Sequence, residues 1–346
     1  MGKNIIEKRK NEHIKICLEK NVESKYNYWN DIQLIHNALP EIDEEDINIE
    51  TNVFGKKLNA PIIIAGMTGG TKIGEKLNER FAQCAEKFGI GFGVGSQRAG
   101  LENEKLERTY SIIKKFDIPL VIGNIGAPQI GSYNLEKCKR AMEMIDADIL
   151  AIHLNFLQEA VQLEGERKGK GCLDAIGRIA ENMPVIVKET GSGISFDTAK
   201  LILTKKIIGI DVGGSGGTTF AGVEYYRSGK KNIGKLLWDW GIPTPISIMA
   251  IRKADKNISV IATGGIRTGI DIAKAIVVGA NCAGIALPLL EPASKSKELL
   301  FDKIKNFINE LRMTMFLMGA KNVESLKTKK YLLFGKLREW VVQDGY

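Results

Sequence analysis

Eight short apolar runs, several of them β-branched, recur along the chain, and most end in glycine or a polar residue. They occupy residues 60–66 (APIIIAG), 89–95 (GIGFGVG), 119–126 (PLVIGNIG), 147–155 (ADILAIHLN), 184–191 (PVIVKETG), 207–214 (IIGIDVGG), 258–265 (ISVIATGG) and 282–290 (CAGIALPLL). Continuous runs, unlike alternating ones, suit strands buried on both faces, as in a parallel sheet covered by helices. Helical spacing fills most of the gaps, at residues 74–87, 135–145, 172–182, 195–203 and 269–278. Eight β-then-α units predict an α/β fold of the (β/α)8 TIM-barrel type. A doubly wound open sheet would alternate in the same way but would place one glycine-rich loop after its first strand. Here the glycine and polar ends are spread over all eight units, as a site built from many strand ends requires.

A chain of 346 residues can form one barrel domain with additions at both ends. Residues 1–58 read as an N-terminal extension, 59–295 as the barrel and 296–346 as one or two closing helices. Neither flank holds enough apolar residues for a core of its own. Phe301, Ile304 and Ile308 form a stripe that fits either packing on the barrel or exposure. The longest insertion, from Thr218 to Ser247, carries LLWDWGIPTP and reads as a loop able to wall or cover the site.

Composition narrows the function classes. With 44% apolar and 26% charged residues the chain can bury a large core. No run reaches the roughly 18 apolar residues of a membrane span, and the charged start MGKNIIEKRKNEH lacks a signal-peptide segment, which places the chain in the cytoplasm. The five cysteines (Cys17, Cys84, Cys138, Cys172, Cys282) are scattered with no C-x-x-C pair, so they read as buried apolar residues. A net charge of +8 fits an anionic metabolite or a lysine-rich surface. No nucleic-acid module accompanies it.

Chemistry-bearing residues gather at the strand ends. Met67, Thr68, Gly69 and Gly70 follow the first run; Ser96, Gln97 and Arg98 the second; Asn124 lies in the third. His153, Asn155, Gln158 and Glu159 follow the fourth, Lys188 and Glu189 end the fifth, and GGSGGTT at 213–219 follows the sixth. Gly264, Gly265 and Arg267 close the seventh, Ala286 and Leu287 the eighth. Two glycine-rich turns on adjacent late strands suit phosphate capture, because backbone N–H groups and helix N-termini converge there; each alone would read as a tight turn. Lys188 ends an apolar strand, where an ammonium needs an anion or a hydrogen-bonding partner. A flavin, whose pyrimidine end becomes negative on reduction, meets that need, and a pair with Glu189 or another carboxylate is the alternative. Glu159 can hold Mg²⁺ or simply be solvated. Arg9, Lys10 and His13 suit a diphosphate if the N-terminus folds over the barrel mouth, although base rates favour a solvated, mobile tail.

In order along the chain, RKNEH (9–13), AGMTGGT (65–71), GSQRAG (95–100), HLNFLQE (153–159), VKETGSG (187–193) and TGGIRTG (263–269) resemble the type 2 isopentenyl-diphosphate isomerases. M-T-G-G, S-Q-R and H-L-N-x-x-Q-E are the specific elements; T-G-G-I-R is shared with many FMN barrels. The resemblance implies an FMN enzyme that interconverts isopentenyl and dimethylallyl diphosphate, with reduced FMN as the acid/base group, NADPH or another reductant to prime it, and no net redox change. It implies that Met67, Thr68, Gly69, Ser96, Asn124, Lys188, Ser215, Thr218, Gly264, Gly265, Arg267, Ala286 and Leu287 surround FMN. Arg9, Lys10, His13, Ser96, Gln97, Arg98, His153, Asn155 and Gln158 would face the substrate, His153 and Gln158 near the reacting carbons, and Glu159 would hold Mg²⁺. Phe156 and Leu163 stand where many members have proline, which bears on loop geometry. The family also implies a homo-oligomer, tetramer or octamer. A hydroxy-acid oxidase of the same fold would need a histidine base from its late strands, but the three histidines, His13, His36 and His153, all precede them. An alkene reductase would consume NADPH stoichiometrically.

Overall fold

The computed structural model describes residues 2–131, 134–229 and 232–345, with side chains from residue 7 onward. Eight parallel strands close a barrel: β1 (Ile62–Ile64), β2 (Gly91–Gly93), β3 (Val121–Gly126), β4 (Ile149–Leu154), β5 (Val185–Glu189), β6 (Gly209–Asp211), β7 (Ser259–Thr263) and β8 (Cys282–Ile285). Each lies within one of the eight apolar runs. The last run divides, because its residues beyond Ile285 turn into the helix Leu287–Lys295. Pro288 sits in that helix's first turn, where its missing N–H costs nothing.

Local signals start and stop the barrel helices. Thr71 accepts from the Gly74 N–H to open Lys72–Phe88, and Gly89, at φ +60°, closes it. Thr268 and Asp271 form a reciprocal capping box on Gly269–Val278. These helices bury their apolar faces against the outside of the barrel, in one cluster that runs from Ile14 to Leu337.

A second cluster fills the barrel's interior toward the N-terminal ends of the strands, with Ile63, Ile122, Ile149, Ile186 and Ile261. The hairpin Thr51–Val53 and Lys56–Leu58 plugs that end. Its turn residues Phe54 (φ +56°) and Gly55 (φ +77°) both adopt left-handed backbone, as a tight two-residue hairpin demands. A β-carbon on Gly209 would stand 2.5 Å from the Phe54 ring, so the plug requires glycine there. With this end sealed, ligands have access at the opposite, C-terminal face.

Three expectations are corrected. The N-terminus is not a mobile tail: Gly2–Glu19 is a helix across the barrel mouth, and from residue 7 on its side chains meet the strand ends. The segment Thr218–Ser247 is not a long loop; it folds into helices Phe220–Arg227 and Asn232–Leu236 and the start of Thr244–Ala254. The C-terminal region holds more than closing helices. Lys297–Leu317, Val323–Lys327 and Gly335–Asp344 are joined by a strand, Tyr331–Leu333, that pairs antiparallel with Ile32–Leu34 and ties the two flanks together. On Lys297–Leu317, Ile304 is fully buried and Phe301 and Ile308 pack against the core, so that stripe belongs to the barrel. Cys84, Cys138, Cys172 and Cys282 are buried, Cys17 is half-buried, and all five are free thiols.

Candidate active site

The C-terminal ends of the strands open into a cavity of about 250 Å³. One side is built of glycine. Gly213, Gly264 and Gly265 have φ of +45°, +120° and +76°, and a β-carbon on Gly264 would lie 2.4 Å from the Gly214 carbonyl oxygen. The N-terminal extension braces this turn from behind: Trp29 Nε1 donates to the Gly264 carbonyl at 2.9 Å, and Asn27 Nδ2 to that of Gly265 at 2.8 Å. Segment 22–24 pairs with the loop after β6 through Ser24 N to Gly217 O (2.7 Å) and Thr219 N to Val22 O (2.8 Å). Thr218, Arg267, Ala286 and Leu287 complete this side, with Arg267 Nε donating to Glu23 at 2.6 Å.

Met67, Thr68, Ser96, Asn124 and Lys188 continue the wall deeper in the barrel. Asn124 Nδ2 donates to the Val94 carbonyl at 2.9 Å, which turns its Oδ1 toward His153 Nδ1, 2.6 Å away. An amide oxygen only accepts, so His153 carries its proton on Nδ1 and keeps the Nε2 lone pair. Burial, with the charges of Lys188 and Lys10, pulls the imidazole down to about 3, and the ring is neutral at physiological pH. Lys188 takes the carboxylate alternative, but with Asp211, at 2.6 Å, in place of Glu189. Glu189 instead accepts the backbone N–H groups of Thr190, Gly191, Ser192 and Gly193.

Basic groups from the N-terminal helix and the β2 loop line the mouth: Arg9, Lys10, His13 and Arg98. Lys10 Nζ donates to the Ser96 carbonyl (2.8 Å) and the Tyr110 hydroxyl (2.6 Å). Burial, aided by the charge of Arg9, brings its ammonium down to about 7. His13 Nε2 meets Glu224 at 2.8 Å, Arg9 lies 3.9 Å from Glu164, and Arg98 pairs with Glu166 at 2.7 Å. Asn155, Gln158 and Glu159 also line the cavity. Glu159 is buried, accepting from Asn155 Nδ2 (2.9 Å) and from the Glu166 N–H (2.7 Å).

Three expected site residues lie outside the cavity wall. Gln97 is fully buried behind it, donating to the Ala141 carbonyl at 2.7 Å and accepting from the Asn124 N–H at 2.8 Å. Its side chain therefore supports Asn124. Gly69 is packed against the Tyr110 ring, and Ser215, whose backbone bridges to Pro243, is buried. Conversely, Gln129, Gln162, Thr190, Phe220 and Thr263 line the cavity without having been singled out. Gln162 was accessible to helical-periodicity reasoning, four residues beyond Gln158; Glu224 and Asp211, which hold His13 and Lys188, carry no local signature beyond a carboxylate among apolar residues.

Comparison with known proteins decides the family. A model of the FMN-dependent dehydrogenase family matches residues 8–111 and 173–332. The isopentenyl-diphosphate delta-isomerase of Methanothrix thermoacetophila is 45% identical, over 98% of this chain and 96% of that protein. That of Archaeoglobus fulgidus is 46% identical, over 96% and 98%. The chain belongs to the isopentenyl-diphosphate delta-isomerases, within the FMN-dependent dehydrogenase family. Among solved structures, a lactate oxidase from Pediococcus acidilactici superposes with a TM-score of 0.65 at 17% identity, covering 96% of this chain and 94% of that one. A mandelate oxidase does so with 0.65 at 16% identity, covering 96% and 98%. At such identities these oxidases share the barrel, and the isomerase relatives alone speak to chemistry.

Proposed function

We propose that this chain interconverts isopentenyl diphosphate and dimethylallyl diphosphate in isoprenoid biosynthesis, with FMN as resident cofactor, Mg²⁺ on the substrate diphosphate and no net oxidation. The observation that carries this reading is a single cavity with two anion-seeking ends: a glycine cradle on the late strands, and basic side chains of the N-terminal helix across the mouth. FMN fits the first end. Thr68 Oγ1 and Thr263 Oγ1 are buried on the cavity wall with no partner among the described residues, a cost that a polar ligand relieves. Bound in its reduced form, FMN would supply the acid/base chemistry that moves the double bond.

The protein's own groups then bind and orient. Met67, Thr68, Ser96, Asn124, Lys188, Thr218, Gly264, Gly265, Arg267, Ala286 and Leu287 hold the cofactor. Arg9, His13 and Arg98 take the diphosphate by exchanging their carboxylate partners for phosphate oxygens, and Lys10 joins them from its two neutral acceptors. Asn155 and Gln158 orient the bound substrate between the two ends. Neutral His153 accepts hydrogen bonds at Nε2 and is no imidazolium donor at neutral pH. Glu159 offers one buried carboxylate, which suits Mg²⁺, an ion that takes one or two carboxylates and fills its other positions with phosphate oxygens and water. Among the described residues no group of three or more His, Cys, Asp or Glu is disposed to hold a metal, so substrate and water would supply the other ligands.

The test supplies purified protein with FMN, Mg²⁺, isopentenyl diphosphate and a sub-stoichiometric amount of NADPH under anaerobic conditions. Dimethylallyl diphosphate in excess of the NADPH is the expected result; product equal to NADPH would make the chain a reductase. We place the enzyme in the cytoplasm as one folded unit, 1–346, in a tetramer or octamer. No helix among the described residues is long and apolar enough to cross a membrane. A monomer mass by light scattering would remove the assembly.

A further inference from the structure

Three polar side chains stand side by side in the barrel wall. His153 on β4 is the register partner of Lys188 on β5, and Lys188 is the partner of Asp211 on β6. Past them the row turns apolar, through Ile261 on β7 to Cys282 on β8. Register partners in a parallel sheet point to the same face, and Ile261 and Cys282 belong to the interior cluster, so the whole row faces inward.

Within this row Lys188 reaches the cavity, whereas Asp211 stays behind it, and the two are joined at 2.6 Å. Both are buried. Among the described residues Asp211 Oδ1 is enclosed with no hydrogen-bond partner, and no other donor there neutralises this carboxylate. The lysine's sequence neighbour Glu189 is held by four backbone N–H groups, which leaves Asp211 as its counter-ion. A buried ion pair is weak evidence of stabilisation, because desolvation offsets the attraction. Its placement against a ligand cavity calls for a different explanation.

We propose that Asp211 is a positioning residue of the flavin site. It fixes the Lys188 ammonium in the cavity wall, and its negative charge limits the positive field that Lys188 exerts on the pyrimidine end of FMN. This inference rests on reading the cavity as an FMN site. An acid/base cofactor must hold a proton as well as lose it. An unopposed ammonium beside the pyrimidine would favour the deprotonated anion, and a carboxylate behind that ammonium restrains the preference.

Sulfite reads this field directly. Its sulfur lone pair forms a bond to N5 of oxidised FMN, the displaced π pair becomes negative charge on the pyrimidine, and the visible absorbance bleaches. Positive charge near the pyrimidine therefore tightens sulfite binding. Sulfite titrations at pH 8 on the FMN-loaded wild type, Asp211→Asn, Lys188→Met and the double variant give four dissociation constants. Asp211→Asn is expected to bind sulfite about tenfold more tightly than wild type or better. The double variant should bind it more tightly than Lys188→Met, which leaves the carboxylate unopposed. An unchanged or weaker affinity in Asp211→Asn overturns the proposal, since a mere tether would loosen Lys188 and lower the field. If that variant does not fold, the comparison of Lys188→Met with the double variant decides, and equal constants overturn it. Failure of the wild type to bind FMN, seen as an unshifted flavin spectrum, would instead defeat the cofactor reading itself. FMN bound with the wrong order of constants defeats only the role of Asp211.

Discussion

Raising the pH above 7 should progressively release the substrate's diphosphate from Lys10. This ammonium is brought down to about 7 by burial and by Arg9, and it is held by two neutral acceptors, the Ser96 carbonyl and the Tyr110 hydroxyl. The sign follows from the depressed value. Below pH 7 the cation is present; as pH rises through 7 the free enzyme loses its proton, and an arriving diphosphate must restore it. At pH 8 about one-tenth of the free enzyme retains the charge, so kcat/KM should fall about tenfold per pH unit above 7. The fall ends when the charge-assisted hydrogen bond has been lost altogether, roughly 1.5–3 kcal/mol or about 10- to 150-fold. Between pH 7 and about 9.5 the second phosphate ionisation, near 6, is complete, so the profile reports the protein. The assay is kcat/KM for isopentenyl diphosphate across that range, in wild type and Lys10→Arg. Guanidinium stays charged throughout, and its profile should be flat. A flat wild-type profile, or the same slope in Lys10→Arg, would refute the assignment of Lys10 to the diphosphate.

Glu159→Gln should raise the Mg²⁺ concentration needed for half-maximal rate while FMN affinity stays nearly intact; an equal loss of flavin would contradict the metal role. Gly264→Ala places a β-carbon 2.5 Å from Thr244 Oγ1 at a backbone φ of +120°. It should cost about 1–3 kcal/mol in backbone strain alone and should abolish FMN retention, checked by thermal melting and flavin content. His153 should show no titration between pH 5 and 8 in nitrogen-detected NMR, with the proton on Nδ1 throughout; a midpoint near 6.5 would remove the neutral-imidazole assignment.

Much of the site was legible because barrels concentrate chemistry where strands end, so a polar residue closing an apolar run already has an address. Lys188, Asn124 and the T-G-G-I-R turn were readable in this way, and each lines the cavity. Gln97 was not legible in this way. It follows a strand like its neighbours Ser96 and Arg98, but its side chain turns back to the Ala141 carbonyl. Which way a residue in a turn points depends on backbone angles that neither residue type nor spacing records. The N-terminal helix was not legible either. Its basic residues were plain in the sequence, but a charged terminus resembles a solvated tail until the surface that receives it is known.

The sequence by itself determined the eight-unit barrel, the glycine-rich turns after its late strands and the family, because periodicity, turn chemistry and motif order are local or ordered along one dimension. Tertiary structure alone decided the partnerships: Lys188 with Asp211 across 23 residues of chain, Asn124 with His153 across 29, His13 with Glu224 across 211. These pairs set which nitrogen of His153 holds a proton and which carboxylates stand beside Lys188 and His13 at the cavity. Such properties arise from burial and from charges brought close by folding, and neither exists until the chain has closed on itself.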